Sequence, residues 1–142
     1  MADLNIYIQE KITLGGTDRG VYTTQSISNI NYVDNRVMNL PSGSLTNIFK
    51  FDTADGFGQF TTSSLKYARF TNKSNTDINL YVSSSQQNMV YRVTAGSTFT
   101  ISTTKFTGSF TQGLFTYNDY IQAVKAEPSA SAATIEYFIA TT

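Results

Sequence analysis

Apolar side chains recur at every second position along most of this chain. Leu4, Ile6 and Ile8 alternate with Asn5, Tyr7 and Gln9, and Ile78, Leu80 and Val82 alternate with Asn79, Tyr81 and Ser83. Met89, Tyr91 and Val93, then Phe99 and Ile101, and finally Ile135, Tyr137 and Ile139 keep the same period. Successive side chains of an extended strand point to opposite faces, so this period predicts half-buried strands rather than helices. Thr, Tyr, Phe, Val and Ile supply the stiff or wide side chains that favour a pleated surface. Leu80 and Ile101 are expected in the core.

Turn signals punctuate the pattern at short intervals. Gly15-Gly16, Pro41-Ser42-Gly43, Asp55-Gly56, Asn72-Lys73-Ser74-Asn75 and Ala95-Gly96 each fall between apolar runs. Pro128-Ser129 reads as the turn of a terminal hairpin whose first arm is Tyr120 to Ala126. Asn118-Asp119 before Ile121, Val124 and Lys125 also fits the start of a short helix, but Pro128 and the small residues after it favour the hairpin. Short strands at this spacing predict an all-β, single-domain antiparallel β-sandwich, with residues 1–142 as one unit. No linker or fixed-period repeat interrupts it.

Composition narrows the chemistry. The 142 residues include no His, Cys or Trp. Disulfides, thiolate nucleophiles and zinc–thiolate sites are therefore excluded, and so is the imidazole that usually serves as base or metal ligand. Ten basic and ten acidic residues cancel and are spread along the chain, so no nucleic-acid partner is expected. Only 14% of residues are charged, whereas 21 Thr, 15 Ser and 11 Asn do the solvating work. No apolar run is long enough to span a bilayer, and Met1 to Asn5 lacks a secretory leader's features, so synthesis in a cytoplasm without membrane insertion is expected.

Candidate sites have plain readings beside them. Asp52-Thr53-Ala54-Asp55-Gly56 is oxygen-rich, but no closing Glu follows, and it reads as a turn rather than a calcium loop. Gly15-Gly16-Thr17-Asp18-Arg19-Gly20 lacks the Lys and the spacing of a phosphate loop. The ten carboxylates sit mostly in turn-like contexts, so no catalytic pair, cofactor or metal site is expected. Arg36, Arg69 and Arg92 lie within strand patterns. They are either solvent-facing or interface residues that pair with carboxylates of a neighbouring subunit. The nine Tyr and ten Phe are assigned to core and subunit contacts, with sugar stacking as the alternative.

The block Tyr67-Ala68-Arg69-Phe70-Thr71-Asn72-Lys73-Ser74, then Ile78-Asn79-Leu80-Tyr81-Val82, then Val93-Thr94-Ala95-Gly96-Ser97-Thr98-Phe99-Thr100-Ile101 resembles small virion proteins of tailed bacteriophages, particularly marine ones. The likeness extends to Asn31 through Pro41 and to Ile135 through Thr142. It implies a jelly-roll-like sandwich and a non-enzymatic structural role in the virion, with Asn72 and Gly96 as turn-forming positions. The expected function is a capsid decoration or cement protein, a homo-oligomer (a trimer above all) that binds the major capsid protein or another virion protein. The alternatives are a tail, neck or fibre-associated component and a host-glycan-binding module.

Overall fold

The computed structural model describes residues 1–51, 65–84, 88–102, 109–110, 113–114 and 121–142. Asp52 to Gly56 and the Asn118-Asp119-Tyr120 segment lie outside the described residues. The strands are β1 (Ala2–Glu10), β2 (Thr13–Leu14), β3 (Thr17–Asp18), β4 (Val21–Ile30), β5 (Tyr32–Leu40), β6 (Thr46–Lys50), β7 (Leu65–Asn72), β8 (Ile78–Ser84), β9 (Asn88–Val93), β10 (Thr98–Ile101), β11 (Ser109–Phe110), β12 (Gly113–Leu114), β13 (Ile121–Pro128) and β14 (Ala133–Thr141). There is no helix among the described residues.

Two four-stranded antiparallel sheets, ordered β10-β7-β14-β5 and β6-β13-β8-β9, form a β-sandwich. Leaving out the short β11-β12 pair, eight strands from β5 to β14 pair in a nested way. The first pairs with the eighth (β5 with β14), the second with the seventh (β6 with β13), the third with the sixth (β7 with β10), and the fourth with the fifth (β8 with β9). This is one long hairpin rolled up on itself, the jelly-roll arrangement. Contacts β14–β7 and β13–β8 then complete the two sheets.

The alternation read in the sequence becomes the core. Ile135, Tyr137 and Ile139 of β14 and Leu80 and Val82 of β8 are fully buried, and Ile101 is buried with them. The rings of Phe49 in β6 and Phe70 in β7 stack across the two sheets at 6.3 Å, and those of Tyr91 in β9 and Phe99 in β10 at 4.6 Å near the opposite edge. Aromatic pairs of this kind add to the area they bury.

Two readings change. The terminal hairpin is not one: β13 and β14 are consecutive but belong to different sheets, each already flanked by two other strands. Ser129 N–H donates to Asp77 O at 2.9 Å, so the connection is tied to the β7–β8 loop as the chain crosses over. Residues 2–30 also lie outside the two main sheets. They form an antiparallel ribbon of β1 with β4, extended by β2 with β3, whose register runs unbroken from Leu4↔Ile27 to Leu14↔Thr17. Gly15 and Gly16, with φ of 60° and 79°, make the two-residue turn at its tip. Ile8, expected half-buried, is exposed there.

Candidate functional site

The ribbon meets the sandwich through a bulge. Between Leu4↔Ile27 and Ala2↔Ile30 the β4 strand carries one extra residue, and Asn29 takes φ 65° there. Asn tolerates the left-handed region better than other non-glycine residues. Ile27 and Ile30 are three apart, a spacing that would put them on opposite faces of a regular strand. With the bulge both are buried, and they pack with Tyr67 and Ala140 in a second apolar cluster joined by Leu4, Ile6 and Phe138. Tyr67 and Phe138 meet edge to face at 6.1 Å. The ribbon base thus covers one end of the outer face of the β10-β7-β14-β5 sheet. Burial there raises the Tyr67 phenol pKa above its usual value, with the Arg69 guanidinium opposing the shift.

Beyond that cover the same outer face is polar. Arg69 Nη2 donates to Glu136 Oε1 at 2.8 Å, Lys73 Nζ lies 3.5 Å from Glu136 Oε2, and the hydroxyls of Thr71 and Thr98 meet at 3.1 Å. Thr134 Oγ1 donates to Asn39 Oδ1 at 3.0 Å at the β5 side. Val33 and Val37 of β5 stay exposed among these groups.

The three candidate arginines are dispersed. Arg36 lies on the inner side of edge strand β5, where its Nε donates to Asp34 Oδ1 at 2.8 Å; Tyr137 Oη donates to Asp34 Oδ2 at 3.1 Å. Burial, then the neighbouring Asp34 charge, pushes the Tyr137 pKa up to about 12. Arg69 belongs to the outer-face cluster. Arg92 lies on the outer side of the other sheet and donates from Nε to Asn79 Oδ1 at 3.2 Å. Each therefore has a partner within its own chain, and the three share no site.

Asn72 closes the far end of β7. Its Oδ1 accepts from Ser74 N–H at 2.9 Å, an Asx turn, and its Nδ2 donates to Thr76 O at 2.7 Å and Val93 O at 3.1 Å. Its backbone N–H donates to Ser97 O. One buried amide so holds the β7–β8 and β9–β10 connections together. Gly96, in the second of these, has φ 73°.

Among the described residues no three acids gather in a metal-holding group. The surface that stands out is the ribbon. Tyr7, Ile8, Ile12, Leu14, Val21 and Tyr22 are each about half exposed or more, and the rings of Tyr7 and Tyr22 stack at 6.3 Å. The alternation of Leu4, Ile6 and Ile8 fits an ordinary sandwich strand equally well; the in-register partner run around Gly15-Gly16 is what marks a separate ribbon. No family model, curated protein or solved structure matches the chain.

Proposed function

We propose that this chain is a non-enzymatic structural protein of a tailed-phage virion, and within it a decoration protein that seats on the head lattice, as a homo-oligomer, and stiffens it. The observation that carries the reading is the division of labour in the fold. A compact jelly roll keeps Asp34, Arg36, Arg69, Lys73 and Glu136 in intrachain ion pairs, while the ribbon holds large apolar groups away from the core. Contacts of that kind depend little on salt. Repetition around a symmetry axis multiplies one modest patch into firm attachment. The likeness of the Tyr67–Ile101 block to virion proteins points the same way.

The test is the copy number of this chain in purified particles, with its ability to bind empty heads and raise the temperature at which they rupture. Copies in the hundreds, matched to capsid symmetry, fit the decoration role. Six or twelve copies place the chain at the neck or tail instead, and saturable sugar binding lost on changing an exposed Tyr makes it a glycan module.

A further inference from the structure

The ribbon has two unlike faces. Because its register is unbroken, Leu4, Ile6, Ile8, Ile12 and Leu14 of one arm form an apolar stripe on the side they share with Val21 and Ile27, and with Thr17, Thr23 and Gln25, of the other. The opposite side carries Asn5, Gln9, Thr24 and Ser26 with the stacked Tyr7 and Tyr22. The apolar side is covered only at its base, where Leu4 and Ile6 are half-buried and Ile27 is buried. From Ile8 outward the same stripe continues into solvent, with Ile8, Ile12, Leu14 and Val21 at 48%, 54%, 59% and 55% exposure.

A two-stranded ribbon on its own is marginal in water, and an uncovered apolar face makes it more so. We infer that the outer half of this apolar face is buried against the same face of a second copy of this chain.

Two observations select a second copy over an unlike partner. The exposed stripe continues a packing surface already in use at the ribbon base. Its charges are balanced: Glu10 and Arg19 are the two charged residues on the apolar side, one per arm, so a two-fold-related copy offers each the opposite sign. The inference deepens the proposed homo-oligomer by giving it a surface, and it can be tested in purified protein without any virion.

Sedimentation of the full chain over a concentration series should show a reversible rise from the 15.7 kDa monomer to twice that mass. The double variant Ile12→Lys/Leu14→Lys, which leaves both core clusters intact, should stay monomeric at every concentration with an unchanged strand spectrum. Tyr7→Ser/Tyr22→Ser on the opposite side should keep the oligomer. Glu10→Arg should weaken association at least ten-fold, and Glu10→Arg/Arg19→Glu should restore it. A wild-type chain that stays monomeric at millimolar concentration, or an Ile12→Lys/Leu14→Lys chain that associates as well as wild type, overturns the inference. Association in solution with no attachment to heads would leave this interface standing and remove the decoration role alone.

Discussion

The phenol of Tyr137 donates to the carboxylate of Asp34 at 3.1 Å, joining the last strand to the edge strand beside it, while Asp34 also accepts from Arg36. The hydroxyl is held protonated by burial first and by the acid it faces second. In the unfolded chain that phenol ionises near pH 10, and in the folded chain near 12. Between those values the folded state binds the proton and the unfolded state does not, so stability is full below pH 10 and falls as pH rises toward 12. The loss is on the order of 2 kcal/mol. Tyr137→Phe should cost about 1 kcal/mol at neutral pH and flatten this alkaline decline, read by urea unfolding at pH 8, 10 and 11.5. An equally steep decline in the variant would assign the pH response to other groups.

Asn72 is expected to be the most sensitive polar position in the sandwich. Asn72→Ala leaves the carbonyls of Thr76 and Val93 and the N–H of Ser74 without their partner, at a cost of about 2–4 kcal/mol. Asn72→Asp keeps the bond from Ser74 but turns a charge toward two carbonyls, and should be worse than alanine. Denaturation midpoints of the two variants decide the order.

A charge in the inter-sheet core should not be tolerated. Leu80 and Ile101 are buried on strands of opposite sheets, and Leu80→Asp or Ile101→Asp puts an unpaired carboxylate among apolar side chains, a loss of several kcal/mol against a total of about 5–15. Neither variant should give soluble protein with a cooperative unfolding transition. Leu80→Ala should fold, weaker by about 2–5 kcal/mol.

Backbone conformation makes a separate, smaller contribution at two positions. A side chain at Gly96 would meet nothing within 4 Å, so Gly96→Val is costly only through its φ of 73°, by about 1–2 kcal/mol. Gly96→Asn should cost less. At Asn29, glycine should be accepted and valine should loosen the ribbon from the sandwich, which amide exchange in β1 and β4 would record as lost protection of the ribbon and unchanged protection of β14.

How far the sequence reaches is best judged from single strands. The inward residues of β8 and β14 are legible because one face of each is dry and the other wet, so polarity alternates with the pleat. The partners are not legible in the same way. Nothing local in Ala133–Thr141 says that it pairs with Tyr32–Leu40 instead of with the strand before it, because the preference arises only once both sheets are assembled. For that reason a local reading of Pro128-Ser129 gives a hairpin where the chain crosses between sheets. Ile8 departs from the pattern for a different cause: alternation announces an amphipathic strand but not whether its apolar face stays within the chain. The arginines are legible by residue type, yet Glu136 and Asn79 become the partners of Arg69 and Arg92 only through the strand register, which residue spacing alone does not fix.

The pairing of the first sandwich strand with the last sets the order of events during synthesis. Leu40 meets Ala133, and Tyr32 meets Thr141, so β5 must wait for nearly the whole remaining chain before it has a neighbour. The ribbon's arms are neighbours in the chain, joined by two glycines, yet its base packs on Tyr67, Phe138 and Ala140, so it too lacks its support until β14 is in place. A chain that stops before β14 loses both the neighbour of β5 and the Phe138 and Ala140 seat of the ribbon, so one missing strand leaves a sheet edge and the ribbon base open together.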